Sequence, residues 1–131
     1  MKLSKIGKIY LILFFTVMVA KAFANIFASL VEVKFDGNFP ATISYTLNEE
    51  ATSVAVNIRL NGSIVKTINL SQSENGTFIG PNSIHWDGSF DNGAFAGNGI
   101  YLIEILAADD IGHQTWELIS FDRGPDNISM R

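Results

Sequence analysis

One stretch of the chain, WDGSFDNGAFAGNGIY at residues 86–101, concentrates residue types that could do chemistry. Acidic and hydroxyl side chains alternate from Asp87 to Asp91, which is the spacing at the start of a calcium-binding loop. A helix–loop–helix calcium site needs Gly at position six and Glu at position twelve. Those positions hold Asn92 and Asn98 here, and no helical pattern flanks the stretch. We therefore predict no metal site and no cofactor.

The glycines of this stretch could instead suggest a loop that binds phosphate. Such a loop leads into a helix whose N-terminus faces the anion. After Gly99 the sequence alternates apolar and polar residues as a strand does, which excludes that reading. Turn-forming Asp and Asn side chains together with glycines favour a structural turn. The residues that we assign to this turn are Trp86, Asp87, Gly88, Gly93, Gly97, Gly99 and Tyr101.

Nucleophilic catalysis has little support in the sequence. The chain contains two histidines, His85 and His113, and no Gly-x-Ser-x-Gly motif. It contains no cysteine, so a thiol nucleophile and thiolate metal sites are excluded as well. A hydrolase is therefore disfavoured, because no set of nucleophile, base and orienting group can be assembled.

The aromatic residues could stack against sugar rings, or they could be core. In residues 100–109 the polar Glu104 is expected to face water, so Tyr101 faces inwards. In residues 113–121 the same argument from Glu117 places Trp116 in the core. We expect Trp86 to pack over an open end of the core. The alternative is a carbohydrate- or surface-ligand-binding module that uses Trp86 and nearby loops.

Period-two alternation dominates the chain from residue 30 onwards, and no long segment has a helical period. The pair Asn61-Gly62 predicts a two-residue hairpin, because both residues accept positive φ. The alternation and the turn signals predict about seven strands in an antiparallel β-sandwich. These strands are expected at residues 30–36, 42–48, 53–60, 63–70, 83–86, 100–109 and 113–121.

The N-terminus has the pattern of a secretory signal peptide. Three lysines precede an apolar core at residues 9–20, and Ala22-Phe23-Ala24 supplies small residues for cleavage after Ala24. Twelve apolar residues are too few for a membrane span, so no stable span is expected after cleavage. The remaining chain has five basic and thirteen acidic residues, and this negative charge disfavours nucleic acid as a partner.

Strand parity also predicts an apolar stripe that faces outwards. If residues 100–109 and 113–121 form a hairpin through Asp110 and Ile111, Leu102 lies near Ile119 and Ile100 near Phe121. A contiguous apolar patch often marks an interface. A partner protein or neighbouring domain could cover it, as could an N-terminal strand or the tail, and the oligomeric state is left open. The candidate interface residues are Ile100, Leu102, Leu106, Ile119 and Phe121.

The ordered set of residues 43–47, 54–58, 61–68, Trp86-Asp87-Gly88 and 97–101 resembles a known family. It is similar to the immunoglobulin-like domain of the bacterial flagellar hook-capping protein (FlgD-type), which recurs in secreted and cell-surface proteins. The resemblance implies an all-β, immunoglobulin-like antiparallel β-sandwich without catalytic residues. We expect a signal peptide at 1–24, this domain at 25–122 and a tail or linker at 123–131. The expected role is that of an exported structural or interaction module, which is periplasmic, cell-surface or extracellular.

Overall fold

A computed structural model describes residues 25–110, 114–123 and 128–130, with side chains over 25–110. The predicted signal peptide at 1–24 lies outside the described residues. The described chain forms eight strands and no helix, and β1 to β6 have described side chains. The strands are β1 (Ala28–Lys34), β2 (Ala41–Leu47), β3 (Ser53–Leu60), β4 (Ser63–Ser71), β5 (Gly80–Trp86), β6 (Gly99–Ala108), β7 (Gln114–Arg123) and β8 (Ile128–Met130).

The strands form two antiparallel sheets. One sheet has three strands in the order β1-β2-β5, and the other has five in the order β4-β3-β6-β7-β8. The predicted all-β architecture with two antiparallel sheets is confirmed. The short strand β8, which was not predicted, pairs with the end of β7. The segment expected to be a tail or linker at 123–131 therefore contributes its backbone to the sheet at residues 128–130.

The core lies between the two sheets, and alternating residues of each strand supply it. On β6 every second residue is fully buried, and these residues are Tyr101, Ile103, Ile105 and Ala107. The residues between them are half-buried or exposed and face away from the core. On β2 the residues Ile43, Tyr45 and Leu47 are likewise buried. The inward orientation predicted for Tyr101 is confirmed.

The β6–β7 register differs from the prediction by one residue. Ile103 pairs with Ile119 and Tyr101 with Phe121, whereas Leu102 pairs with Ser120. Five residues, 109–113, connect the pair Ala108–Gln114 instead of the expected two-residue turn. The predicted pairing of Leu102 with Ile119 and of Ile100 with Phe121 is therefore wrong.

Trp116 was placed in the core by the argument from Glu117, and this placement stays a prediction. The backbone register pairs position 116 with Leu106 and position 118 with Glu104. The side chains of β7, including those of Ile119 and Phe121, lie outside the described residues.

Side chains close the free edge of β4. The backbone N–H of Thr67 donates to Asp91 Oδ2 at 3.0 Å, and the N–H of Ser71 donates to a Glu74 carboxylate oxygen. Asp91 also donates its own N–H to the Val65 carbonyl at 2.8 Å, and its carboxylate lies 3.6 Å from Lys66 Nζ. An open sheet edge is a template for pairing with another chain. These two carboxylates therefore protect the edge.

We expect the double variant Glu74→Ala/Asp91→Ala to self-associate through this edge. The loss of both carboxylates leaves the N–H groups of Thr67 and Ser71 free to pair with a second copy. Sedimentation velocity over a range of concentrations measures the association. The control Asp36→Ala/Glu50→Ala removes two exposed acids with the same change in net charge. Equal association of both double variants, or none in either, would contradict the edge-protecting role.

Candidate interaction surface

The connection between β5 and β6, residues 87–98, wraps around a buried tryptophan. Trp86 is 1% exposed, and its indole N–H donates to the Ser89 carbonyl at 2.9 Å. Its ring centroid lies 5.1 Å from that of Phe39 and 5.5 Å from that of Tyr101, both in edge-to-face geometry. Because neither ring face meets solvent, Trp86 offers no stacking surface for a sugar. The alternative of a carbohydrate site built on Trp86 is therefore not supported.

Side chains within the connection hold its shape. Asp87 Oδ1 accepts hydrogen bonds from Ser89 Oγ at 2.6 Å and from the Ser89 N–H at 2.9 Å. These bonds favour the ionised form and lower the pKa of Asp87, to which the charge of Lys66 adds a smaller effect. The carboxylate thus organises a local turn.

The glycine that follows Asp87 allows the chain to pass close to an aromatic ring. Gly88 has φ of +86°, and a Cβ at this position would lie 2.6 Å from Phe39 Cδ2. Gly93 also has positive φ, at +88°. Further along, the Gly97 carbonyl accepts a hydrogen bond from Tyr101 Oη at 2.8 Å, and Gly99 is the first residue of β6.

The described side chains form no metal-binding cluster. In residues 25–110 no group of three or more His, Asp and Glu side chains could hold a metal ion. His85 is exposed, and its Nδ1 lies 3.3 Å from Thr42 Oγ1. His113 lies outside the described residues.

The outer face of the five-stranded sheet carries an apolar stripe along β6, formed by Ile100, Leu102 and Leu106. Ile100 is 62% exposed, and Leu102 and Leu106 are half-buried. Arg59 of β3 pairs with Leu102 of β6 on one side and with Ile64 of β4 on the other. Ile64, which is 45% exposed, therefore lies on the same face as this end of the stripe, with Arg59 between it and Leu102. The structure therefore brings together three of the predicted interface residues and adds Ile64.

A polar row crosses the same face between the two ends of the stripe. Thr67 Oγ1 donates to Asn57 Oδ1, and Asn57 Nδ2 donates to Glu104 Oε1, each at 2.9 Å. Arg59 Nε completes the row with an ion pair at 3.4 Å to Glu104 Oε2. Asn57 is only 8% exposed although it faces outwards. The row fixes polar groups beside the stripe, and buried side-chain networks of this kind rigidify a surface.

Sequence reasoning placed Glu104 on an outward face but did not join it to Asn57 and Arg59. Their contact depends on the register of β3 with β6, which pairs Asn57 directly with Glu104. The contribution of Ile64 was also missed. A register shift in the β3–β4 pair, between Ile58 and Arg59, brings Ile64 opposite Arg59. The alternation in either strand alone does not reveal such a shift.

The model of the FlgD Ig-like domain family matches residues 30–110, which contain β2 to β6 and most of β1. The chain belongs to the FlgD Ig-like domain family. FlgD from P. aeruginosa is a similar solved structure, with 26% identity and a TM-score of 0.51 over 81% of this chain and 82% of that chain. The comparison with curated proteins gave no match.

Membership of the FlgD Ig-like domain family indicates what kind of domain this is. FlgD Ig-like domains are structural and not enzymatic modules, and the two antiparallel sheets are consistent with an Ig-like sandwich. Within the part of the chain that the structure describes, no helix is long and apolar enough to cross a membrane.

Proposed function

We propose that this chain is an exported, non-catalytic interaction module that docks a protein partner or neighbouring domain on the outer face of its five-stranded sheet. The observation that carries the proposal is the stripe of Ile100, Leu102 and Leu106, extended by Ile64. An isolated exposed apolar residue is ordinary, but neighbouring ones on a single rigid face are typical of interfaces. The ion pair of Arg59 with Glu104 adds fixed polar groups beside the apolar ones.

The export part of the proposal depends on residues 1–24. A basic start, an apolar core and the Ala22-Phe23-Ala24 cleavage pattern support secretion. The absence of cysteine leaves the domain independent of disulfide chemistry in that compartment. The resemblance to the flagellar hook-capping family supports a structural or docking role. The expected compartments are the periplasm, the cell surface and the medium.

The test is photo-crosslinking in the native host, with a crosslinking amino acid at position 100 and, as a control, at the exposed position 36 of the β1–β2 turn. We expect a discrete adduct from position 100 and none from position 36, in the envelope fraction or the medium. The intact mass of the free protein should correspond to cleavage after Ala24. A cytoplasmic protein with an intact N-terminus would contradict export.

The variant Ile100→Ser/Leu102→Ser should abolish partner association and leave the domain folded. Removal of partly exposed apolar area costs about 1 kcal/mol of unfolding free energy per side chain, a small part of the total. Ile79→Ser, which removes an isoleucine that is 67% exposed in the loop before β5, is the control. Analytical ultracentrifugation with the partner identified by crosslinking measures association, and thermal unfolding shows whether each variant is folded. If the double variant unfolds, Ile100 and Leu102 are core residues and the docking surface is wrong.

A further inference from the structure

An open groove of about 570 Å³ lies on the outer face of the three-stranded sheet, opposite the stripe. The register arranges its lining in two rows across β1, β2 and β5. Glu32, Ser44 and Ser83 form a polar row, because Glu32 pairs with Ser44 and Ser44 with Ser83. The neighbouring row, two residues further along β2, contains Thr46 paired with Pro81, with Leu30 on the β1 side and Phe78 on the loop side.

Leu30 is held in a conformation that bulky residues rarely adopt. Its φ is +51°, in the left-handed region, and it sits where the β1–β2 register shifts between Ser29 and Glu32. This β-bulge leaves Leu30 81% exposed, while the next residue, Val31, packs against the core. Bulges often redirect a side chain beside a functional site, and backbone strain concentrates at such sites. The fold therefore presents an aliphatic side chain to solvent at the cost of strain.

Phe78 is fixed on the other side of the groove. Asn82, which is 6% exposed, donates from Nδ2 to the Phe78 carbonyl at 2.7 Å and accepts the Phe78 N–H at 3.3 Å. Tyr45 Oη donates to the Gly76 carbonyl of the same loop at 2.7 Å. Burial raises the pKa of Tyr45, so the phenol stays protonated and keeps this bond. Phe78, 47% exposed, is thus presented from a loop that is already ordered, which lowers the entropy cost of binding.

The charged residues in and around the groove further restrict the class of ligand. The exposed carboxylate of Glu32 is the charged group that lines the groove. Residues 25–110 contain ten acidic and three basic residues, and two of those three, Arg59 and Lys66, already form ion pairs. The third, Lys34, is exposed two positions from Glu32 on β1 and does not line the groove. The attraction for a cationic group is therefore confined to the groove beside Glu32.

We propose that this Leu30 groove binds an extended peptide segment of a protein partner, with aliphatic side chains next to Lys or Arg. The aliphatic groups contact Leu30, Pro81 and Phe78, the basic group reaches Glu32, and the backbone bonds to the hydroxyls of Ser44 and Ser83. The groove spans three strands, about 10 Å, which is the length of roughly three extended residues. An oligosaccharide fits less well, because two of the three apolar groups are aliphatic and offer no flat ring. The inference rests on the proposed function only in treating the chain as an interaction module.

The probe is a blocked peptide, acetyl-Gly-Leu-Lys-Leu-Lys-Leu-Gly-amide, titrated into the isotope-labelled exported protein and followed by backbone amide NMR. We expect shifts at Glu32, Ser44, Thr46 and Ser83. Leu30→Ser should weaken binding by about tenfold, whereas Phe95→Ser, which removes an exposed apolar residue of the β5–β6 connection, should change it by less than about twofold. Exchange of both Lys of the probe for Glu should abolish binding, and Glu32→Gln should reduce its salt dependence.

A second variant separates binding from folding. Leu30→Gly removes the strain of positive φ, so it should raise the melting temperature and weaken probe binding at the same time. Shifts with cellohexaose and none with the peptide would replace the proposal with a sugar site. No shift at these residues with the probe at millimolar concentration, or shifts confined to the Ile100 face, would overturn it. Neither result depends on export or on the crosslink from position 100, so the two proposals can fail separately.

Discussion

Trp86→Ala is expected to lower the free energy of unfolding by about 3–5 kcal/mol, because it leaves a cavity in a closely packed region. Trp86 is 1% exposed and lies edge-to-face against Phe39 and Tyr101. The substitution also removes the indole N–H that binds the Ser89 carbonyl, so the connection 87–98 loses an anchor. A loss of this size is a large part of the total stability of a domain of this length.

Chemical denaturation followed by circular dichroism measures the effect. Phe95→Ala is the matched control, because Phe95 lies in the same connection and is 71% exposed. The control should change the free energy of unfolding by less than about 0.5 kcal/mol. Similar small losses in both variants would show that Trp86 is a peripheral residue of the connection and not a core residue.

Gly76→Ala should cost about 2–4 kcal/mol, from an unfavourable backbone conformation and from overpacking together. Gly76 has φ of +106°, which side chains disfavour. An added Cβ would collide with Leu70 Cδ1 and would lie 2.8 Å from Tyr45 Oη, the group that binds the Gly76 carbonyl. The clash therefore displaces a packed residue and weakens a buried hydrogen bond.

Gly62→Ala separates the two contributions. Gly62 has φ of +83°, but a Cβ there meets nothing within 4 Å. It should therefore lose only the conformational part, about 1 kcal/mol. Urea titrations of both variants give the difference. If the two losses are equal, packing around Gly76 can adjust and overpacking contributes nothing.

Local patterns in the sequence predicted the features that depend on local chemistry. The buried set of β6 follows from alternation, since Glu104 fixes which side faces outwards. The hairpin at Asn61-Gly62 follows from two residues that accept positive φ, and the structure gives them φ of 51° and 83°. These positions are predictable because the backbone conformation and the residue type constrain each other directly.

Features that depend on pairing between distant strands were not predictable from single-strand patterns. The β6–β7 pairing error arose because the connection between the paired positions Ala108 and Gln114 has five residues and not two. The polar row requires Asn57 and Glu104 to be opposite each other, 47 residues apart in sequence. The Leu30 conformation gives no sequence signal, because a bulge is chosen by the packing of the whole sheet and leucine has no preference for it.

If the stripe and the Leu30 groove each bind a ligand as proposed, the back-to-back arrangement of the two sheets gives the domain two binding sites on opposite faces. The stripe lies on the five-stranded sheet and the Leu30 groove on the three-stranded sheet, with about 10 Å of core between the sheets. Two ligands on these faces therefore do not compete for space, and one copy can bridge them. As the concentration of the domain increases, the number of bridged ligand pairs rises and then falls, because at excess each ligand is bound by a separate copy of the domain. The amount of the domain relative to its partners would then determine the fraction of partners that it bridges.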